Sequence, residues 1–207
     1  MITTDAAPVS IVGHVRRPLP RAEERPDMQM APQRKRWTLE EVHALPEDGN
    51  KYELVYGELW VTPAPTNQHE TIIARLARIL DPYVGAQGLG LIYRPKAVFR
   101  VERHVEVEPD LMVRQPHPDP RGSWETAPRP ILVAEVLSPS TRRRDLDQKR
   151  ELYMKEGIPE YWIVDGAART ITVVLPEREP LVVSDRLTWA PAGASEPLTF
   201  DVARVFA

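Results

Sequence analysis

Cysteine is absent from the 207 residues, which removes disulfides, thiolate nucleophiles and cysteine zinc sites in one step. Any metal bound here takes oxygen or imidazole ligands. No apolar run approaches the roughly 20 residues that a membrane-spanning helix needs. The opening stretch, MITTDAAPVSIVGHVRRPLP, lacks the positive, apolar and small-residue order of a secretory signal. A cytoplasmic protein without a membrane segment is therefore expected. There is no glycine-rich phosphate loop, no G-x-S-x-G elbow and no H-E-x-x-H helix, so three common enzyme classes drop out. Basic excess is missing too: the net charge of −3 argues against a wide basic surface for duplex DNA and leaves room for a local patch.

What is present suits one globular domain with an extension: 42% of residues are hydrophobic and 28% charged. Residues 1 to 35 carry scattered Pro and Arg with no apolar period, the composition of a disordered arm. Its arginines serve either a solvated tail or a nucleic-acid contact. The domain, 36 to 207, begins with Thr38 and Glu41, spaced as a capping box for a short helix. Lys51 to Val61 reads as a β-hairpin around Tyr56-Gly57, and Glu53 lies on the strand face opposite Tyr52 and Leu54. That face is either solvent or a site. Asn67 with Glu70 looks like a second capping box, opening a helix striped by Ile72, Ile73, Leu76 and Leu80. His69 sits on that stripe, as a hydrogen-bonded core residue or as a functional one. Strands follow between 88 and 101, broken at Pro95, and again around Val105 and Leu111 to Val113. Pro109 cannot donate to a ladder, so Asp110 falls where two strands diverge.

The centre of the chain is ILVAEVLSPSTRRRDLDQKRELYMKEGIPEYWIVD, from Ile131 to Asp165. The apolar run from Ile131 to Leu137 marks a strand buried on both faces, and Glu135 interrupts it. A carboxylate there avoids the cost of lost hydration only by protonating, pairing with a cation or binding a metal. On the helix that follows, Lys149 falls between Leu146 and Leu152 with Tyr153 beside it, while Asp147, Glu151 and Lys155 face away. The βαβ unit predicts parallel strands at 131 to 137 and 161 to 165 within an α/β fold built on a mixed sheet. Asp110, Glu135 and Lys149 therefore make either a Mg²⁺ or Mn²⁺ site open to a phosphate or a buried ion pair.

At these residues the sequence resembles a known family. Pro109-Asp110, Glu135 in a buried strand and then a lysine are similar to the PD-(D/E)xK nuclease superfamily. YELVYGEL, the following His69, PDLMV, AEVLSPST, the spacing of Asp145, Lys149 and Tyr153, and GIPEYWIVD resemble, in that order, the Uma-two family over about Trp37 to Leu175. The resemblance implies a restriction-endonuclease-like core with an N-terminal β-hairpin and a Mg²⁺-dependent endonuclease site. Asp110 and Glu135 would be metal ligands with the Val136 carbonyl as a third, Lys149 would orient water, and Glu53 and His69 would lie nearby. Nucleic acid, DNA first, is the implied partner, with a homodimer as the assembly to test. The rival reading is a nucleic-acid-binding or regulatory module that keeps the fold without cutting. Two departures stand out: Leu137 occupies the position two after the glutamate where the superfamily carries lysine, and Tyr56 stands where the family hairpin has Asp.

Overall fold

The computed structural model describes residues 35–207, so the arm expected over residues 1 to 35 lies outside the described residues except for Lys35. Helix α1 (Leu39–His43) starts as its sequence predicts. The Thr38 side chain accepts from the Glu41 N–H, and the Glu41 carboxylate accepts from the Thr38 N–H. Strands β1 (Lys51–Val55) and β2 (Glu58–Thr62) pair antiparallel around Tyr56 and Gly57, whose φ angles are 48° and 87°. Two left-handed residues make the tight turn whose twist suits a hairpin. Gly57 takes that conformation freely, whereas Tyr56 is held in it from outside. Its N–H donates to the His104 carbonyl at 2.7 Å, its carbonyl accepts from Arg36 at 2.9 Å and its hydroxyl donates to Glu156 at 2.5 Å.

Helix α2 (Asn67–Ala86) begins one residue earlier than the sequence suggested. Its cap is Thr66, whose hydroxyl accepts from the His69 N–H at 3.3 Å, and Asn67 is the first helical residue. Four short strands follow: β3 (Leu91–Tyr93), β4 (Phe99–Val101), β5 (Val105–Val107) and β6 (Leu111–Arg114). Then come β7 (Leu132–Val136), a π-helical turn at Arg144–Gln148, α3 (Lys149–Lys155) and β8 (Tyr161–Asp165). The chain closes with β9 (Thr170–Val174), β10 (Leu181–Val183), a separate hairpin of β11 (Arg186–Trp189) and β12 (Leu198–Asp201), and α4 (Ala203–Phe206).

The strands form a six-stranded sheet in the order β10-β9-β8-β7-β6-β3 and a four-stranded one in the order β2-β1-β5-β4. The chain passes from one to the other at Pro109-Asp110, the divergence expected of a proline that cannot join a ladder. β7 and β8 are parallel and joined through α3, as a βαβ unit requires. On one face of the large sheet, Ile72, Ile73, Leu76 and Leu80 of α2 pack with Leu111, Val113, Leu132, Ala134 and Val136. The alternate residues Met112, Val133 and Ile163 point the other way, into Leu152 and Tyr153 of α3 and Trp60, Phe99 and Val105 of the small sheet. Both faces of β7 are covered, which is why its sequence is apolar at every position but one. No helix among the described residues is long and apolar enough to cross a membrane.

Candidate metal centre

Strand alternation places Glu135 with Val133, on the face away from α2. β6 and β7 pair with Leu111 opposite Ala134, so one step further along the register Asp110 stands opposite Glu135. Residues so placed have Cβ atoms about 4.5–5.5 Å apart, and two like charges there repel. Asp110 is fixed at the strand end: its Oδ2 accepts from the Val136 N–H at 2.9 Å and lies 3.0 Å from His69 Nε2. His69 thus turns the edge of the α2 stripe toward a carboxylate rather than into the core. Both carboxylates are buried, Asp110 being 5% and Glu135 1% exposed.

Lys149 lies on the core side of α3, as its helical position requires. Its Nζ is 2.8 Å from Glu135 Oε1, 3.3 Å from Glu53 Oε1 and 3.8 Å from Asp145 Oδ1. The Tyr153 hydroxyl donates to Glu135 Oε1 at 2.7 Å. Glu53 is fully buried, so the strand face left open by its sequence meets this charged cluster and not solvent; its Oε1 also accepts from the Glu108 N–H at 3.0 Å. The five residues singled out, Asp110, Glu135, Lys149, Glu53 and His69, share one cluster. Asp145 enters it from the π-helical turn, where the Lys149 N–H bonds five residues back to the Arg144 carbonyl. Such turns recur at functional sites.

Lys51 was not singled out by sequence. It donates to the Glu108 carbonyl at 3.0 Å, with Nζ 3.5 Å from Asp110 Oδ1 and 3.9 Å from Glu53 Oε1. The available signal was its spacing of two from Glu53, which puts both side chains on one face of β1.

The electrostatics are those of a site with too little positive charge. Four buried carboxylates meet two ammoniums and a histidine. Burial pushes Glu135 up; Lys149 offsets part of this, Asp110 adds to it, and the group ends at about 8. For Asp110 burial acts in the same sense but is outweighed by the His69 hydrogen bond and the Lys51 charge, which hold it well below the usual carboxylate range. Burial also opposes the charge on Lys149, yet Glu135, Glu53 and Asp145 together raise it above the usual lysine value. Glu53 Oε2 and Asp145 Oδ1 are buried without a hydrogen-bond partner. Opposed carboxylates, unsatisfied carboxylate oxygens and surplus negative charge fit a hard divalent cation. Among the described residues no three Asp, Glu or His side chains are grouped to hold one, so a third protein ligand would have to be backbone.

A pH dependence follows. Glu135 binds its proton more tightly in the folded state than in the unfolded chain, so its contribution to stability is complete below about pH 4.5 and is lost as pH rises through about 8. His69, also raised, acts in the same sense. In chelator the urea midpoint should therefore fall between pH 5.5 and 8. Glu135→Gln, which stays neutral and can still accept from Lys149, should flatten most of that slope; an unchanged slope would place the titration elsewhere.

The Uma2 family model, described as "Putative restriction endonuclease", matches residues 39–202. The fold is similar to a crystal structure described as "a putative nuclease belonging to DUF820" from Anabaena variabilis. That likeness has a TM-score of 0.68 at 23% identity and covers 82% of this chain and 97% of that one. No curated protein matches.

Proposed function

The chain belongs to the Uma2 family, and on that premise we propose that it hydrolyses phosphodiester bonds in DNA with the help of Mg²⁺ or Mn²⁺. The observation that carries this reading is the buried Asp110 carboxylate held 2.9 Å from the Val136 N–H, next to Glu135 in the chain, with the Lys149 ammonium 2.8 Å from Glu135. Asp110, Glu135 and the Val136 carbonyl would hold the ion. When bound, such an ion polarises the scissile phosphate and lowers the pKa of a coordinated water.

The rest of the work falls to the chain's own side chains. Lys149 and the Tyr153 hydroxyl fix one oxygen of Glu135, which leaves the other free to ligate. Glu53 shares Lys149 and so sets the direction in which the ammonium points toward water. His69, raised by its hydrogen bond and charge interaction with Asp110 despite burial, is available to donate to a phosphate oxygen. Lys51, whose side chain is 18% exposed against 2% for Lys149, is the ammonium of this cluster nearest to incoming backbone charge. Cutting both strands of a duplex would call for two such sites, the reason to expect a homodimer.

The test is an assay of the whole protein on supercoiled, linear and single-stranded DNA with Mg²⁺, Mn²⁺ or EDTA. Nicked or linear product is expected with either cation and none with EDTA. Nucleic acid bound without any cutting would replace this reading with the non-catalytic binding module.

A further inference from the structure

We propose that the cleft at the far end of β6 binds a small planar organic anion, its carboxylate or phosphate group held by Arg114. Arg114 is only 3% exposed. Its Nη1 donates to the Gln115 carbonyl at 2.9 Å, but Nε is buried with no partner. Among the described residues no carboxylate forms an ion pair with it, and burial pushes it below the usual arginine value with only Tyr93 acting in opposition. A guanidinium does not escape burial by losing its proton, so the charge remains. Two rings compensate in part: Arg114 lies 4.0 Å from the centroid of Tyr93 and 5.4 Å from that of Trp124. A buried cation with an unused donor and no counter-ion is costly unless something anionic visits it.

The surroundings offer that visitor room. Arg114, Met112, Phe99 and Trp124 help to line a cleft of about 320 Å³, within the size range of small-molecule sites. Of its other charged residues, Arg100 is committed to Glu106 and Arg129 to the Glu156 carbonyl. Glu102 and Glu125 are exposed, so Arg114 is the buried charge of the cleft without a charged partner. Its planar fork matches a carboxylate or phosphate edge. Trp124, 36% exposed, offers a ring face against which a flat body can stack. Asp110 lies four residues back along the chain, about 13 Å at strand rise, so the cleft shares no residue with the nuclease centre proposed above and does not depend on that reading.

The test titrates the full chain, in EDTA, with adenosine 5′-monophosphate, benzoate and inorganic phosphate, followed by calorimetry and melting temperature. Saturable binding of at least one planar anion is expected, tighter than that of inorganic phosphate. Trp124→Ala and Arg114→Gln should each weaken it about tenfold or more, while Asp110→Asn leaves it unchanged. Should Arg114→Gln fail to fold, Trp124→Ala and a crystal soaked with the tighter probe decide the matter. The proposal is overturned if none of the probes binds at millimolar concentration, if binding survives in the folded Arg114 and Trp124 variants, or if it is lost in Asp110→Asn instead.

Discussion

A Lys149→Met variant is expected to melt about 10 °C below the parent in EDTA and to recover a large part of that loss in Mg²⁺ or Mn²⁺. Met keeps the apolar stem beside Leu152 and Tyr153 and removes the ammonium. Above about pH 8, where Glu135 is ionised, Glu135, Glu53 and Asp145, now 2.8, 3.3 and 3.8 Å from that charge, would be left as buried carboxylates with less compensation. Removing one partner of a buried ion pair costs about 3–5 kcal/mol, and in a domain of this size each kcal/mol is worth about 2–4 °C. A divalent cation between Asp110 and Glu135 supplies positive charge from another direction and stabilises the folded state in proportion to its occupancy. If the cluster is an ion pair and nothing more, added cation changes nothing. Melting curves of parent and variant with EDTA and with each cation separate the two; a variant as stable as the parent in EDTA would show that Lys149 does not carry the buried charge.

The sequence made the cluster of side chains legible because each of its signals was local. An apolar run broken once located Glu135, a helical angle put Lys149 on the covered side, and a proline that cannot join a ladder placed Asp110 at the parting of two sheets. What stayed open depended on distant chain. Alternation along β1 told which face Glu53 occupies but not that α3, about a hundred residues later, covers it. The same holds for Lys51, whose partners are Glu108 and Asp110. Tyr56 in place of Asp weakened the hairpin signal, and the turn survives because Arg36, His104 and Glu156 hold the tyrosine in its left-handed conformation. Thr66 and Asn67 are both good caps, and local chemistry alone did not choose between them. Arg114 reads as the polar end of a strand; only the closing of Tyr93 and Trp124 around it makes it a buried charge.

Replacing Asp110 by Asn should cost less stability than Lys149→Met and yet abolish cleavage. The Asn carbonyl can still accept from the Val136 N–H, now a 2.9 Å bond to the carboxylate. Removing the negative charge also ends the repulsion that helps to raise Glu135, against which stands the lost attraction of His69 and Lys51. Because that attraction outweighs burial and keeps Asp110 ionised, the metal-free protein should lose about 1–3 kcal/mol and still fold. With one of two opposed carboxylates gone, however, the stabilisation by Mn²⁺ should vanish, and cleavage should fall by about 10²-fold or more as the charge stabilisation it provides is lost. A folded Asp110→Asn protein that cuts as the parent does would remove Asp110 from the centre. One that unfolds in EDTA would make Asp110 a structural partner of His69 and Lys51, since only that role requires the charge when no metal is present.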